Sequence, residues 1–259
     1  MKDLLLCIDV GNTQTVLGIF RGTEITSRWR IRSDRDRTAD EYSHLIKDLL
    51  RGDDVDASSL KGVCVSSVVP PARQALLDMS VSDFDLVPLM VGPGVKTGMP
   101  ILYDNPREVG ADRIANAVAA YERYRNNIIV IDFGTAITFD VISAAGEYIG
   151  GVIFPGVQIS LDALFLRAAK LPRVEIEKPS QVVGRDTISS IQSGIIYGYA
   201  GLVDSIVERI DDEMGVRATV VATGGLAGGI SGEARCINEV IPDLTLEGLR
   251  ILFERNEEK

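Results

Sequence analysis

Apolar runs alternate with polar turns along most of the chain, and this pattern predicts a layered α/β protein. Residues 4–8 form a continuous apolar run that ends at the polar segment Asp9-Val-Gly-Asn-Thr13, which predicts a buried strand followed by a turn. Two strand patterns, at residues 16–20 and 24–31, come next. The chain is therefore expected to open with an antiparallel meander whose first turn carries polar groups.

Helical patterns follow this meander. Thr38-Ala-Asp-Glu41 is a capping-box sequence, and the residues after it repeat apolar side chains at helical spacing. Pro70-Pro71 marks the start of a second helix, and Asp186-Thr187 precedes a long helical pattern that reaches residue 214. Strands are predicted at 62–65, 86–91 and 218–222, and a closing helix at 246–255.

The second half of the chain repeats the opening pattern. An apolar run at residues 128–131 ends at Asp132-Phe-Gly-Thr135, and strand patterns follow it at 138–141 and 147–149. Because the Asp-x-Gly turns at Asp9 and Asp132 lie about half a chain apart, we expect an internal duplication. The glycine- and proline-rich stretch at 92–100 predicts a crossing between domains, and we place an N-terminal domain at 1–110 and a C-terminal domain at 111–259.

Charge and composition narrow the function classes. The 259-residue chain has a formal net charge of −10 and a pI near 4.7, so its overall field repels nucleic acids and anionic lipid surfaces. No run approaches the ~20 apolar residues of a membrane span, and the N-terminal run is too short for a signal peptide. Three widely spaced cysteines suggest reduced thiols. We expect a cytoplasmic protein that binds neither nucleic acid nor membrane.

The two Asp-x-Gly turns have the chemistry of phosphate-binding loops. Glycine allows close approach of the backbone to a phosphate, and the side chains of Asn12, Thr13 and Thr135 can donate to its oxygens. The carboxylates of Asp9 and Asp132 would repel a phosphate group directly, so a cation or a bridging water is implied between carboxylate and phosphate. An ordinary strand–turn is the alternative for either copy alone, but two copies half a chain apart favour phosphate binding.

Three motifs in order resemble those of the superfamily that holds sugar kinases and actin-like ATPases. Asp9-x-Gly-Asn-Thr13 and Asp132-Phe-Gly-Thr-Ala136 resemble its two phosphate motifs, and Thr223-Gly-Gly-Leu226 resembles its adenosine motif. The resemblance implies an α/β fold of two actin-like (ribonuclease H-like) domains with a duplicated strand–turn core and an ATP cleft between them.

Within that superfamily the chain resembles the type III pantothenate kinases over nearly its whole length. Ile137 departs from the threonine that commonly follows Asp-Phe-Gly-Thr-Ala in the family. The segments that carry the resemblance are Gly92-Pro-Gly94, Lys96-Thr-Gly98, Tyr103-Asp-Asn-Pro106, Val109-Gly-Ala-Asp-Arg113, Asn116-Ala-Val-Ala-Ala120, Gly151-x-x-x-Pro-Gly156 and Gly184-Arg-Asp-Thr187.

The resemblance implies a reaction and a set of site residues. ATP would phosphorylate the primary hydroxyl of pantothenate, the first step of coenzyme A synthesis, with Asp112 as general base. Asp132 would bind a monovalent cation, K⁺ or NH₄⁺, that acts alongside Mg²⁺, and the protein would be a homodimer. Pantothenate would contact Tyr103, Gly110, Ala111, Asp112, Arg113 and Thr187, and ATP would contact Asp9, Val10, Gly11, Asn12, Thr13, Gln14, Thr15, Val16 and Thr135.

Alternatives remain open on the residues alone. Asp112 and Thr187 sit where ordinary helix-capping residues are found, and Tyr103 is a candidate packed aromatic. Two other protein classes share the fold: a non-catalytic transcriptional accessory or regulatory protein, and an actin-like filament-forming ATPase. A carboxylate at each of Asp9, Asp112 and Asp132 favours the kinase.

Overall fold

The computed structural model describes residues 2–168 and 170–257. Its internal contacts divide the chain into two compact units. Unit 1 comprises Met1–Ala119 together with Asp243–Lys259, and unit 2 comprises Ala120–Pro242. The start of the third α-helix and the C-terminal helix both belong to unit 1. The predicted domain boundary itself stays a prediction.

Unit 1 is a five-stranded mixed sheet with helices. The strand order is β3-β2-β1-β4-β5, in which β1 pairs antiparallel with β2 and parallel with β4. Its elements are β1 (Leu4–Val10), β2 (Gln14–Arg21), β3 (Glu24–Arg32), α1 (Ala39–Gly52), a 3₁₀ turn (Ala57–Ser59), β4 (Leu60–Ser67), α2 (Pro70–Phe84), β5 (Leu89–Met90), a 3₁₀ turn (Pro106–Glu108), the start of α3 (Ala111–Tyr124) and α7 (Leu244–Asn256).

The β1 strand is apolar on both faces because helices cover both sides of the sheet. Leu6 and Ile8 are fully buried in a cluster with α1 and α2. On the sheet's other face, α7 packs so closely that a Cβ added at Gly62 of β4 would lie 2.1 Å from the Phe253 ring. This tight packing is the reason the C-terminal helix belongs to unit 1.

Unit 2 repeats the sheet of unit 1. Its strand order, β8-β7-β6-β9-β10, has the same pattern of an antiparallel meander followed by parallel neighbours, which confirms the expected duplication of the strand–turn core. Its elements are the end of α3, β6 (Ile128–Phe133), β7 (Ala136–Ile142), β8 (Tyr148–Pro155), α4 (Val157–Arg167), α5 (Thr187–Met214), β9 (Thr219–Thr223), α6 (Ala227–Ile230) and β10 (Glu239–Val240).

Helix starts follow the local sequence closely. Thr38 caps α1 through a capping box with Glu41, as predicted. Asp186 caps the 28-residue α5, which ends at Gly215 in the left-handed conformation. The strand predicted at 86–91 is shorter than expected, since only Leu89 and Met90 pair with β4.

The three cysteines are buried or partly buried thiols of low reactivity. Cys7, Cys64 and Cys236 are free thiols, and burial raises the pKa of all three, that of Cys236 to about 12. These thiols are therefore protonated at neutral pH and poor nucleophiles.

Within residues 2–168 and 170–257, no helix is long and apolar enough to cross a lipid bilayer.

Candidate active site

The turn after β1, called the first turn (residues 11–13), is placed next to a hydrogen-bonded carboxylate. Asp9 lies on β1 between Val16 of β2 and Ser66 of β4. The fully buried Ser66 hydroxyl donates to Asp9 Oδ1. Asp9 itself is only partly buried. Its carboxylate is thus fixed at one oxygen while the group remains within reach of solvent.

The first turn is closed by backbone and hydroxyl contacts. Gly11 N–H donates to the Gln14 carbonyl at 3.0 Å, while Asn12, Thr13 and Gln14 are exposed. Thr15 is fully buried, and its hydroxyl lies 2.9 Å from the Ser33 hydroxyl. The turn therefore presents its tip to solvent and anchors its end in the protein. Of the other two residues predicted to contact ATP here, Val10 is buried and Val16 partly buried.

The second turn (Gly134-Thr135) follows β6 in the same way. Asp132 pairs with Thr138 of β7 and Thr223 of β9, and Thr135 is exposed. Gly224 has a φ of +93°, and a Cβ added there would lie 2.5 Å from Asp132 Oδ1. Only glycine therefore lets the turn after β9 approach the carboxylate of Asp132. Gly156 N–H donates to the Thr135 carbonyl at 3.1 Å and supports the second turn.

Asp112 is the second residue of α3, at the helix end where the macrodipole favours a negative charge. Its Oδ1 accepts a hydrogen bond from the Arg113 N–H at 2.9 Å. Asp112 and Ala111 are partly buried. A Cβ at Gly110 would lie 2.3 Å from that same oxygen, so the carboxylate packs directly against the glycine. The helix start thus holds the Asp112 carboxylate in one orientation.

The residues after Asp112 bind α3 to the C-terminal helix. Arg113 is 8% exposed and Asn116 is 1% exposed. Asn116 Oδ1 accepts a hydrogen bond from the Thr245 hydroxyl of α7 at 2.7 Å. A Cβ at Gly248 of α7 would lie 2.0 Å from the Ala115 carbonyl oxygen. The position of the helix that carries Asp112 is therefore set by α7.

Thr187 and Tyr103 occupy different settings. Thr187 is the exposed first residue of α5, and hydrogen bonds from Ser189 hold the pKa of the neighbouring Asp186 carboxyl below its usual value. Tyr103 is partly buried ahead of the Pro106–Glu108 turn in unit 1. An open pocket of about 580 Å³ is lined by Leu171, Gly184, Arg185, Asp186, Thr187, Ser190 and Ile191.

Sequence reasoning missed two hydroxyl residues that contact predicted site residues, Ser33 and Ser66. It also missed Thr245, which contacts Asn116 of the family motif after Asp112. Only Ser66 left a signal, because it lies at the end of a predicted strand, where parallel neighbours bring polar groups to one edge. The contacts of the other two depend on residues far away along the chain.

The donor atoms suit hard cations. Asp9 and Asp132 supply carboxylate oxygens, and threonine or serine hydroxyls stand at the neighbouring strand positions. Oxygen ligands of this kind are preferred by Mg²⁺ and by alkali cations over nitrogen or sulfur. In the described part of the chain, no cluster of three or more His, Cys, Asp or Glu residues forms a ready metal site. A cation bound at either carboxylate would therefore complete its shell with water or substrate oxygens.

Comparison with solved structures shows the fold. The chain aligns with a putative Baf family transcriptional activator from Campylobacter jejuni at a TM-score of 0.62 and 16% identity, over 97% of this chain and 98% of that one. It also aligns with a ROK family glucokinase from Streptomyces griseus, solved with glucose and AMPPNP, at a TM-score of 0.51 and 14% identity, over 96% and 98% of the chains. The two-unit fold is thus of the actin-like type found in sugar kinases.

Comparison of sequences shows the family. The profile of the type III pantothenate kinases matches residues 5–209. A type III pantothenate kinase of Anaeromyxobacter sp. is 56% identical over 253 residues, which covers 98% of this chain and 100% of that protein. Identity at this level over both full lengths, together with the placed Asp112 segment and the duplicated turns, shows that the chain belongs to the type III pantothenate kinase family.

Proposed function

We propose that this chain is a kinase that transfers the γ-phosphoryl group of ATP to the primary hydroxyl of pantothenate. The product is 4′-phosphopantothenate, and the reaction opens coenzyme A biosynthesis. The observation that carries the proposal is the segment Gly110–Arg113 at the start of α3, which places a carboxylate at a helix N-terminus within a chain that matches the family over nearly its full length.

Asp112 acts as the general base. It accepts the proton of the attacking hydroxyl while the new P–O bond forms, and ADP leaves with the electrons of the broken bond to the γ-phosphorus. The hydrogen bond from the Arg113 N–H keeps one carboxylate oxygen occupied, so the other is the one available for the proton. Most of the remaining barrier reduction comes from positioning and from neutralising charge on the phosphoryl oxygens.

The residues proposed to contact ATP are Asp9, Val10, Gly11, Asn12, Thr13, Gln14, Thr15, Val16 and Thr135. Asp9 would hold Mg²⁺ and Asp132 would hold a monovalent cation, K⁺ or NH₄⁺. These cations would neutralise charge on the triphosphate.

Six residues are proposed to contact pantothenate. Arg113 suits its carboxylate because a guanidinium can bind a carboxylate through two parallel hydrogen bonds. Tyr103, Gly110 and Ala111 contact the substrate beside Asp112, and Thr187 contacts it from the N-terminal end of α5. We further propose that the protein is a homodimer, and the apolar, glycine-rich helix α5 supports this proposal. We also propose that it is cytoplasmic, with which three free, protonated thiols are consistent.

An assay of ADP formation with and without pantothenate tests the proposal. We expect turnover that requires pantothenate, depends on Mg²⁺, and rises when K⁺ or NH₄⁺ replaces Na⁺ at constant ionic strength. Size-exclusion chromatography with light scattering tests the dimer. ADP formation at the same rate without pantothenate would favour a filament-forming ATPase. An absence of ADP formation would favour a non-catalytic accessory protein, a class that the family match disfavours.

Replacing Ser66 by Ala is expected to lower kcat/KM for Mg·ATP by about tenfold to a hundredfold, because a hydrogen bond to a charged group contributes about 1.5–3 kcal/mol. The Asp9 carboxylate loses the hydrogen bond from Ser66, so the Mg²⁺ concentration that gives half-maximal rate rises as well. Ser67→Ala is the matched control, because its hydroxyl donates to the Val69 carbonyl instead. Equal Mg²⁺ dependence in both variants would contradict the proposed role of Asp9.

A further inference from the structure

We propose that Ser33 is a positioning residue that fixes the conformation of the ATP-binding first turn. This inference rests on the proposed function, since it assigns a role within the same site. Ser33 follows the last residue of β3 and is partly buried. It belongs to none of the motifs that carry the family resemblance.

Ser33 makes three hydrogen bonds, two to residues of the first turn and one to Thr15 of β2. Its hydroxyl donates to the Gly11 carbonyl at 2.6 Å, and its N–H donates to the Thr13 carbonyl at 3.0 Å. The Thr15 and Ser33 hydroxyl oxygens lie 2.9 Å apart. A serine hydroxyl has one proton, which is given to Gly11, so the proton of the third bond must come from Thr15.

These contacts give Thr15 a defined part. Its side chain is fully buried and its proton is directed to Ser33. Thr15 therefore supports the first turn from inside the protein through its hydroxyl. The chain of bonds runs from Thr15 through Ser33 to Gly11, and it spans both ends of the turn whose tip, Asn12 and Thr13, is exposed.

We call the hydrogen bonds that link Thr15, Ser33 and Gly11 the clamp. Its effect is to preorganise the first turn for ATP. A turn of glycine and small polar residues has many conformations when free, and holding it in one of them reduces the entropy lost on binding a phosphate chain. The clamp acts on ATP and not on the pantothenate side of the reaction. Its loss should therefore weaken ATP binding selectively.

Ser33→Ala, Thr15→Val and the double variant test this inference. We expect Thr15→Val to raise KM for ATP, and the Kd for Mg·AMPPNP from calorimetry, by about three- to tenfold, since one neutral hydrogen bond contributes about 1 kcal/mol. Ser33→Ala removes both hydroxyl bonds and should raise them at least as much. KM for pantothenate should change less than twofold. Because both variants break the same chain of bonds, the double variant should lose less than the product of the single losses.

Two further variants separate positioning from general stability. Ser33→Thr keeps the hydroxyl and should restore most of the ATP affinity. Ser27→Ala removes a buried hydroxyl from β3 itself, away from the first turn, and should leave KM for ATP unchanged. Unchanged ATP affinity in Ser33→Ala, equal losses for ATP and pantothenate, or independent effects of the two changes would overturn the inference.

The nucleotide-binding measurement keeps this inference separate from the proposed function. If the wild-type chain formed no ADP with pantothenate, the proposed reaction would fail, while calorimetry with Mg·AMPPNP would still report on the clamp. If the wild type were active and Ser33→Ala bound Mg·AMPPNP as the wild type does, only the clamp would fail. Should Ser33→Ala not fold, Ser33→Cys, which nearly keeps the size of the side chain but has only a weak S–H donor, decides the question by the same criterion.

Discussion

Asp112→Asn is expected to lower kcat for pantothenate phosphorylation by about 10²–10⁴-fold, the usual contribution of a general base. Asparagine keeps the carbonyl oxygen that accepts the Arg113 N–H, so the start of α3 should remain intact. It cannot take up the proton of the hydroxyl. We therefore expect an unchanged melting temperature and an unchanged Kd for Mg·AMPPNP, with loss confined to turnover, measured by coupled ADP release.

Asp40→Asn is the matched control for this variant. Asp40 is also the second residue of a helix, follows an alanine as Asp112 does, and is exposed. The change removes one negative charge near a helix N-terminus in both cases, and its dipole effect is only about 0.3–1 kcal/mol. Near-normal turnover in Asp112→Asn would remove Asp112 from the mechanism. A large loss in Asp40→Asn would show that net charge, and not the base, is responsible.

Gly248→Ala is expected to lower the free energy of unfolding by about 3 kcal/mol, at the upper end of overpacking costs. The added Cβ would lie 2.0 Å from the Ala115 carbonyl oxygen, a backbone atom of α3 that no rotamer change can move. The helices α3 and α7 must separate, which also strains the bond between Thr245 and Asn116. We expect a lower thermal midpoint and, because α3 carries Asp112, reduced kcat in the protein that remains folded.

Gly52→Ala serves as the control for the glycine change. Gly52 ends α1, and no atom lies within 4 Å of an added Cβ. Replacement there should leave stability within about 1 kcal/mol of the wild type and in the stabilising direction, because alanine restricts the unfolded chain. A melting curve for Gly248→Ala that matches that of Gly52→Ala would contradict the assigned role of α7 in holding α3.

Local patterns were sufficient for much of the architecture. The capping sequences at Thr38 and Asp186 predicted the starts of α1 and α5, because a cap is a contact between residues three apart. The paired Asp-x-Gly turns predicted a duplicated strand–turn core, because each turn follows an apolar run and precedes further strand patterns, and the two sheets have the same strand pattern. Where the pattern was weak, the prediction was imprecise: the strand expected at 86–91 forms only two pairs with β4.

The packing of the C-terminal helix did not follow from local pattern. Its apolar spacing predicted a helix, and the structure places that helix at Leu244–Asn256. Nothing in the spacing indicates that it packs on the sheet of unit 1, which begins at the other end of the chain. Gly18, Gly62 and Gly248 make that packing possible, since each lies where a side chain would collide with its neighbour. In the sequence they are indistinguishable from turn glycines.

The sequence by itself determined the strand–turn–strand duplication, the helix starts, the acidic character and the family motifs, because each depends on residues that are neighbours along the chain or on composition. Tertiary structure alone decided which hydroxyl supports which turn, as with Ser66 at Asp9 and Ser33 at Gly11, and which helix holds α3. The physical reason is that a hydrogen bond or a steric contact depends on distance in space, and strand pairing and helix packing bring together residues that the sequence separates.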